Sequence, residues 1–372
     1  MRGSDGLRLH AGLAALLLLA TAGTAQEGAS TRTRHVLLVT VDGVRWQEVF
    51  RGADPALIDR DAGGVANPEE LRARYWRDTA EQRRQTLMSF FWSTVAVEGA
   101  VWGHRDAGSE AEVRNGRNFS YPGYSELLTG FPDPRIDSNA KRENPNRTVL
   151  EWLAGQPGFG GRVEVVGSWD VFPWIVAAER AGLWVNAGWQ PYDPGSSDPA
   201  VRMLDALMAS TTREWANVRF DSFTVEIAKL RLARRPRVLY VALGEPDDWA
   251  HQRRYDRYLE TLERADRFVE QLWTQTQADP EMAGATTLVL TTDHGRGSTG
   301  ADWTGHGADV AGSEASWIAV LGPDTPAAGV LGEGSAATAS QVAATVATLL
   351  GLDWNAAEHR ADPPLRAAPG RR

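Results

Sequence analysis

Three aspartates, three histidines and one serine in this 372-residue chain have the types and settings that metal-assisted chemistry needs. Asp42 closes an apolar run in "VTVDG". Asp247 lies in "GEPDDWAH", with His251 four residues on. Asp293 and His294 are adjacent in "TTDHG", and His306 sits in "WTGHGADV". Carboxylate oxygen and neutral imidazole nitrogen together suit a divalent cation such as zinc. Of the other histidines, His10 and His359 are terminal, His35 opens a strand and His104 reads as a surface-loop residue. Ser120, in "NFSYPGYSELLTG", is a hydroxyl at the mouth of an expected helix, with Pro122 fitting the first helical position. It could be a simple cap. It could also be a nucleophile. Two divalent cations against the three aspartates would leave a site of plus one, or zero with Ser120 as an alkoxide, and such a site accepts an anionic ester.

The elements that must place these residues are legible as alternating strands and helices. Segments 35–43, 162–169, 237–244, 286–295 and 316–323 are β-branched apolar runs, the mark of strands buried on both faces. Segment 255–277 puts Leu259, Leu262, Ala265, Val269 and Leu272 on one helical face, and 340–351 is a second helix stopped by Gly351. The expectation is an α/β fold, a three-layer α/β/α sandwich around a mostly parallel sheet, whose active site lies at the carboxyl ends of the strands.

The chain as a whole narrows the setting. Arg2 and Arg8, the run "AGLAALLLLATAG" and a small-residue site ending at Ala25 read as a signal peptide over 1–25, so the protein is expected to be periplasmic or secreted, with no membrane association once the signal is cleaved. Residues 26–353 read as one domain, 51–84 as a charged excursion or cap, and 354–372 as a poorly ordered tail. With no cysteine there are no disulfides or thiolate ligands. A formal net charge of −9 without a basic stretch argues against nucleic acid as a partner. The 15 tryptophans, densest in "WDVFPW", are expected to pack core and cap.

The blocks "VTVDGVRWQEVF", "SYPGYSELLTG", "EPDDWAH", "TTDHGRG" and "HGADVAGSE", in this order, resemble the alkaline phosphatase superfamily, on the branch of nucleotide pyrophosphatase/phosphodiesterase-like and sulfatase-like metallohydrolases. The resemblance implies an alkaline phosphatase-like fold and two metal ions, most simply zinc. One would be held by Asp42, Ser120, Asp293 and His294, the other by Asp247, His251 and His306. It implies hydrolysis of a small anionic phosphate ester, monoester or diester, through Ser120 and a phosphoserine. One departure stands out: phosphodiesterase-like members carry Asn one residue after the proline, where this chain has Gly123. Arg296 is a candidate to hold the phosphoryl oxygen in its place, or else it faces solvent.

Three other functions share these residues. A sulfatase would mature its nucleophile to an aldehyde, guided by an Arg two residues after the proline. Here that residue is Tyr124, and Ser120 is expected to stay a plain serine. A phosphomutase fits poorly with an export signal. A metal-stabilised binding protein without turnover would not need the serine.

Overall fold

A computed structural model describes residues 31–366; the signal-peptide expectation at 1–25 lies outside them. The strands are β1 (His35–Val41), β2 (Ala100–Trp102), β3 (Glu110–Glu112), β4 (Val163–Gly167), β5 (Trp184–Ala187), β6 (Val238–Leu243), β7 (Thr286–Thr291), β8 (Ile318–Leu321), β9 (Gly329–Val330) and β10 (Ala336–Thr338). Eight form one sheet in the order β5-β4-β6-β1-β7-β8-β2-β9, and β3 pairs with β10 apart from it. β5, β4, β6, β1 and β7 run parallel, and β8 runs antiparallel to both β7 and β2. The mostly parallel sheet expected from the apolar runs is therefore present.

Alternation along the strands builds the layers. In β1, Leu37, Val39 and Val41 enter one core with Leu239, Val241 and Leu243 of β6 and Leu288 and Leu290 of β7. The helices Asp221–Leu232 and Tyr255–Ala278 cover that face. Val36, Leu38, Val238, Tyr240 and Val289 enter the other core, covered by the helices Ser120–Thr129, Val149–Ala154 and Gln341–Leu349. The helix Tyr255–Ala278 buries all five of the residues expected on its apolar face.

Two expectations need correcting. Residues 51–84 carry the helices Pro68–Tyr75 and Ala80–Leu87, and Leu57, Ile58, Val65, Leu71 and Tyr75 join the same core as β1, so the segment is a wall of the domain. The described part of the tail is docked. Trp354 is fully buried and its indole N–H donates to Thr129 O at 2.9 Å, while the N–H of Asp362 donates to Gly130 O at 2.8 Å. An indole with no solvent exposure holds this segment against the end of the helix Ser120–Thr129.

Candidate active site

β6, β1 and β7 are neighbours, and each delivers an aspartate at its carboxyl end. Asp42 follows β1, Asp293 follows β7 by two residues, and Asp247 stands in the first turn of the helix Glu245–His251 after β6. Parallel strands of similar length bring their ends together, so three distant sequence blocks share one site.

Ser120 is the first residue of the helix Ser120–Thr129, with Phe119 at the cap position and no side-chain cap bond. Pro122 is thus the third helical residue, not the first, and capping is excluded as the role of Ser120. Its Oγ lies 3.5 Å from His294 Nε2. One turn on, the Tyr124 hydroxyl donates to Asp42 Oδ2 at 2.9 Å. Residues four apart on a helix share a face, which is how nucleophile and donor reach the same site.

The histidines present nitrogen lone pairs to oxygen. His294 Nδ1 donates to Gly295 O at 2.9 Å and His306 Nδ1 to Asn118 O at 3.1 Å. A carbonyl only accepts, so Nδ1 carries a proton in both rings, and the tautomer this selects leaves Nε2 as the nitrogen turned towards the carboxylates. Asn118 adopts a left-handed φ of 52°, which an Asn tolerates. His294 Nε2 stands 3.4 Å from Asp42 Oδ1, 3.4 Å from Asp293 Oδ2 and 3.8 Å from Asp247 Oδ1. His251 Nε2 is 3.1 Å from Asp247 Oδ2 and 3.0 Å from His306 Nε2. Asp42 Oδ1 and Asp293 Oδ2 are buried and have no hydrogen-bond donor among the described residues. Acceptors facing acceptors in a buried space are the signature of a position for a cation. Asp42, Asp293 and His294 form one group able to hold an ion, and Asp247, His294 and His306 form a second. This second group shares His294 with the first and does not include the expected His251, whose Nε2 nonetheless lies beside Asp247 and His306.

Protonation tendencies follow from this crowding. Burial, then repulsion from Asp247, pushes Asp42 well above the usual carboxylate range, and burial with Asp42 nearby does the same to Asp293. Burial would raise Asp247 too, but Arg296, His251 and His306 outweigh it and hold its carboxyl well below that range. His306 is pushed down to about 2 by burial and by His294, so its ring is neutral and fit to ligate. Asp248, at the same wall, is raised to about 9 by burial and the neighbouring carboxylates.

Two of the expected substrate contacts are placed elsewhere. A Cβ on Gly123 would stand 2.2 Å from Asp293 O. The glycine lets the nucleophile helix lie against the Asp293 backbone and makes no wall of the cavity. Arg296 is fully buried. It donates to Gly43 O and Asp247 O at 3.1 Å each and also bonds Thr304 O and the Asp247 carboxylate. It is closed off from solvent and is not among the residues lining the cavity at Ser120; it holds Asp247. His104, outside the site, stacks on Phe50 at 4.7 Å.

The cavity at Ser120, about 380 Å³, brings in residues that no motif announced: Asn139, Lys141, Trp169 and Asp170. Asn139 Oδ1 accepts the N–H of Tyr121 at 3.0 Å, which holds the side chain beside the nucleophile. Behind Asp247, two helix starts cap one another: Asp221 Oδ1 accepts the N–H of Gly244 at 2.8 Å, Asp221 Oδ2 that of Glu245 at 3.2 Å, and Glu245 Oε2 that of Asp221 at 2.8 Å. This reciprocal cap sets the turn that carries Asp247 and His251. A buried "GEPDD" acid and an acid opening the helix at 221 were the available signals.

The model of the family described as type I phosphodiesterase / nucleotide pyrophosphatase matches residues 62–342. The chain belongs to that family. The match spans four of the five motifs, all but the block around Asp42, and bears out the resemblance; the protein is a hydrolase of phosphate or sulfate esters. No curated protein sequence matches it. Its fold is similar to that of a putative sulfatase from Bacteroides thetaiotaomicron (12% identity, 86% of this chain and 71% of that one, TM-score 0.54). It is similar also to the protein Ps i-CgsB (15%, 89% and 75%, 0.53) and to a phosphonate monoester hydrolase from Silicibacter pomeroyi (11%, 88% and 76%, 0.50). Among the described residues, no helix of this phosphodiesterase-family chain is long and apolar enough to cross a membrane.

Proposed function

We propose that this chain is an exported phosphoric ester hydrolase that works with two divalent cations, zinc by its ligand set, and with Ser120 as nucleophile. The observation that carries the reading is the pair of donorless carboxylate oxygens, Asp42 Oδ1 and Asp293 Oδ2, around the same His294 nitrogen that Ser120 Oγ approaches. Asp42, Asp293, His294 and Ser120 would hold one cation, and Asp247, His251 and His306 the other. When bound, the cations make Ser120 more acidic and offset the charge that builds on the leaving oxygen.

The chain's own groups do the rest. Ser120 Oγ bonds to phosphorus as the ester oxygen departs, and water then cleaves the phosphoserine. Asn139, anchored to the nucleophile helix through its Oδ1, has its amide N–H groups to offer a non-bridging oxygen. It does the work that the missing Asn at Gly123 leaves undone. Tyr124 keeps Asp42 oriented, and Arg296 keeps Asp247 ionised. The substrate is a small anionic ester.

A sulfatase is the second reading, favoured by the fold likeness to a putative sulfatase. Against it, Tyr124 is committed to Asp42 where the maturation signal needs an Arg, and the chain has no cysteine. The deciding experiment is a panel of para-nitrophenyl phosphate and sulfate with protein stripped by chelator and reloaded with zinc. Phosphate cleavage restored by zinc, with a phosphate-over-sulfate kcat/KM ratio well above unity, supports the reading. Preference for the sulfate ester, or equal activity without metal, overturns it.

A further inference from the structure

Four aspartates stand among the residues that line the catalytic cavity. They are Asp42, Asp247, Asp248 and Asp170, and the two cations of the proposed function would answer only the carboxylates that ligate them. Arg296 is enclosed and spent on Asp247. That leaves Lys141 as the one Lys or Arg side chain in the cavity wall. Its ammonium donates to Asp170 Oδ2 at 2.7 Å and stands 5.3 Å from the centre of the Trp174 ring.

The two partners are not equally free. Asp170 is tied down: its N–H donates to Asn217 O at 2.9 Å, and Gly188, with φ of 57°, approaches so closely that a Cβ there would stand 2.5 Å from Asp170 Cβ. Lys141 is half exposed, on a long flexible stem, and it follows Asn139 by two residues. An ammonium has three donors, and the contact with Asp170 uses one of them. Asp170 thus parks the charge at the cavity mouth while leaving donors for an incoming anion. The aromatic face of Trp174 favours the cation at that place as well.

We propose that Lys141, positioned by Asp170, recognises a further anionic oxygen on the substrate, beyond the single charge of a simple phosphodiester. This inference rests on the phosphoester reading of the site and names the charge class of its substrate. The extra oxygen has two sources. It belongs to the transferred group in a phosphomonoester, or to an acidic substituent on the second arm of a diester. In both cases the contact is a charge-assisted hydrogen bond, which a neutral diester arm cannot make.

Three substrates that share the para-nitrophenol leaving group separate the outcomes: para-nitrophenyl phosphate, methyl para-nitrophenyl phosphate, and a diester whose second arm is a carboxyethyl group. Each is assayed with the zinc-loaded full chain and with Lys141→Met, which keeps the apolar stem. The expected result is a drop of about tenfold, the scale of one charge-assisted contact, in one of two kcat/KM ratios. A fall in monoester over methyl diester assigns the oxygen to the transferred group. A fall in carboxyethyl over methyl diester assigns it to the arm. Lys141→Arg should keep most of the affected ratio. Both ratios unchanged in Lys141→Met overturns the inference while leaving the hydrolase reading intact. A wild-type enzyme that cleaves none of the three overturns the hydrolase reading, and the inference with it.

Discussion

Replacing Tyr124 with Phe removes one oxygen and tests how the ligands of the first cation are held. The ring is fully buried and meets Phe172 at 4.9 Å edge to face, so Phe keeps the packing. What is lost is the 2.9 Å bond from the hydroxyl to Asp42 Oδ2. Asp42 Oδ1 already has no donor, so the variant leaves the carboxylate with neither oxygen satisfied by a hydrogen bond. A hydrogen bond to a charged group contributes about 1.5–3 kcal/mol, and losing the partner of a metal-ligating group commonly costs ~10–100-fold in metal affinity. The expected outcome is a zinc affinity lowered by roughly that factor at the Asp42–Asp293–His294 position, with little change at the Asp247 position. The sign of the pH effect follows too. The Tyr124 bond lowers the Asp42 pKa against burial, so Phe raises it further, and zinc must displace a proton held up to higher pH. The acid limb of activity should move upward. A competitive chelator titration read in two steps measures both affinities. Unchanged zinc binding at the first position, or equal weakening at both, would refute the assignment of Tyr124 to Asp42.

Other perturbations are equally direct. Gly123→Ala drives a methyl to 2.2 Å from Asp293 O, so nucleophile helix and ligand strand must part; activity should fall about 100-fold, the scale of a displacement of order 1 Å at a reacting group, while circular dichroism shows the fold retained. Trp354→Ala empties a fully buried indole site and should destabilise the fold by about 3–5 kcal/mol, measured by denaturant unfolding. The metal-free protein should lose stability as pH rises. Asp42 and Asp293 have folded pKa values raised above the unfolded value of ~3.9, so the folded state holds more protons, and stability falls from about that pH up through the raised values. Thermal melting of chelator-treated protein across that range, with zinc rescuing most at the high-pH end, checks this.

Much of the site is readable in the sequence because its ligands follow strands that the apolar runs mark unmistakably. Asp42 directly follows β1 and Asp293 comes two residues after β7, and neighbouring parallel strands bring such ends together whatever lies between them. Other groups depend on contacts that no local pattern encodes. Tyr124 is singled out in the sequence only as the residue standing where a sulfatase has its Arg, and the bond of its hydroxyl to Asp42, 82 residues away along the chain, is visible only in the fold. Asn139 and Lys141 sit in an irregular polar stretch, 134–148, whose path along the cavity is set by the helix beside it. Arg296 reads in the sequence as a phosphoryl contact or a solvent-facing residue, since arginines seldom bury, yet the Asp247 carboxylate and three backbone carbonyls hold its guanidinium inside the fold. The tail past 354 is rich in Pro and Ala and reads as loose, but a single Trp at its start finds a closed pocket at the end of the nucleophile helix.

The most direct test is to catch the nucleophile in the act. Zinc-loaded protein mixed with excess para-nitrophenyl phosphate, quenched in acid and digested, should yield the peptide carrying Ser120 with the mass of one added phosphoryl group. The same peptide should be unmodified without substrate, and Ser120→Ala should accumulate no phosphopeptide and turn over no ester. Turnover at the normal rate by Ser120→Ala, or an aldehyde in place of Ser120 in protein from its native host, would contradict a serine-based phosphoryl transfer.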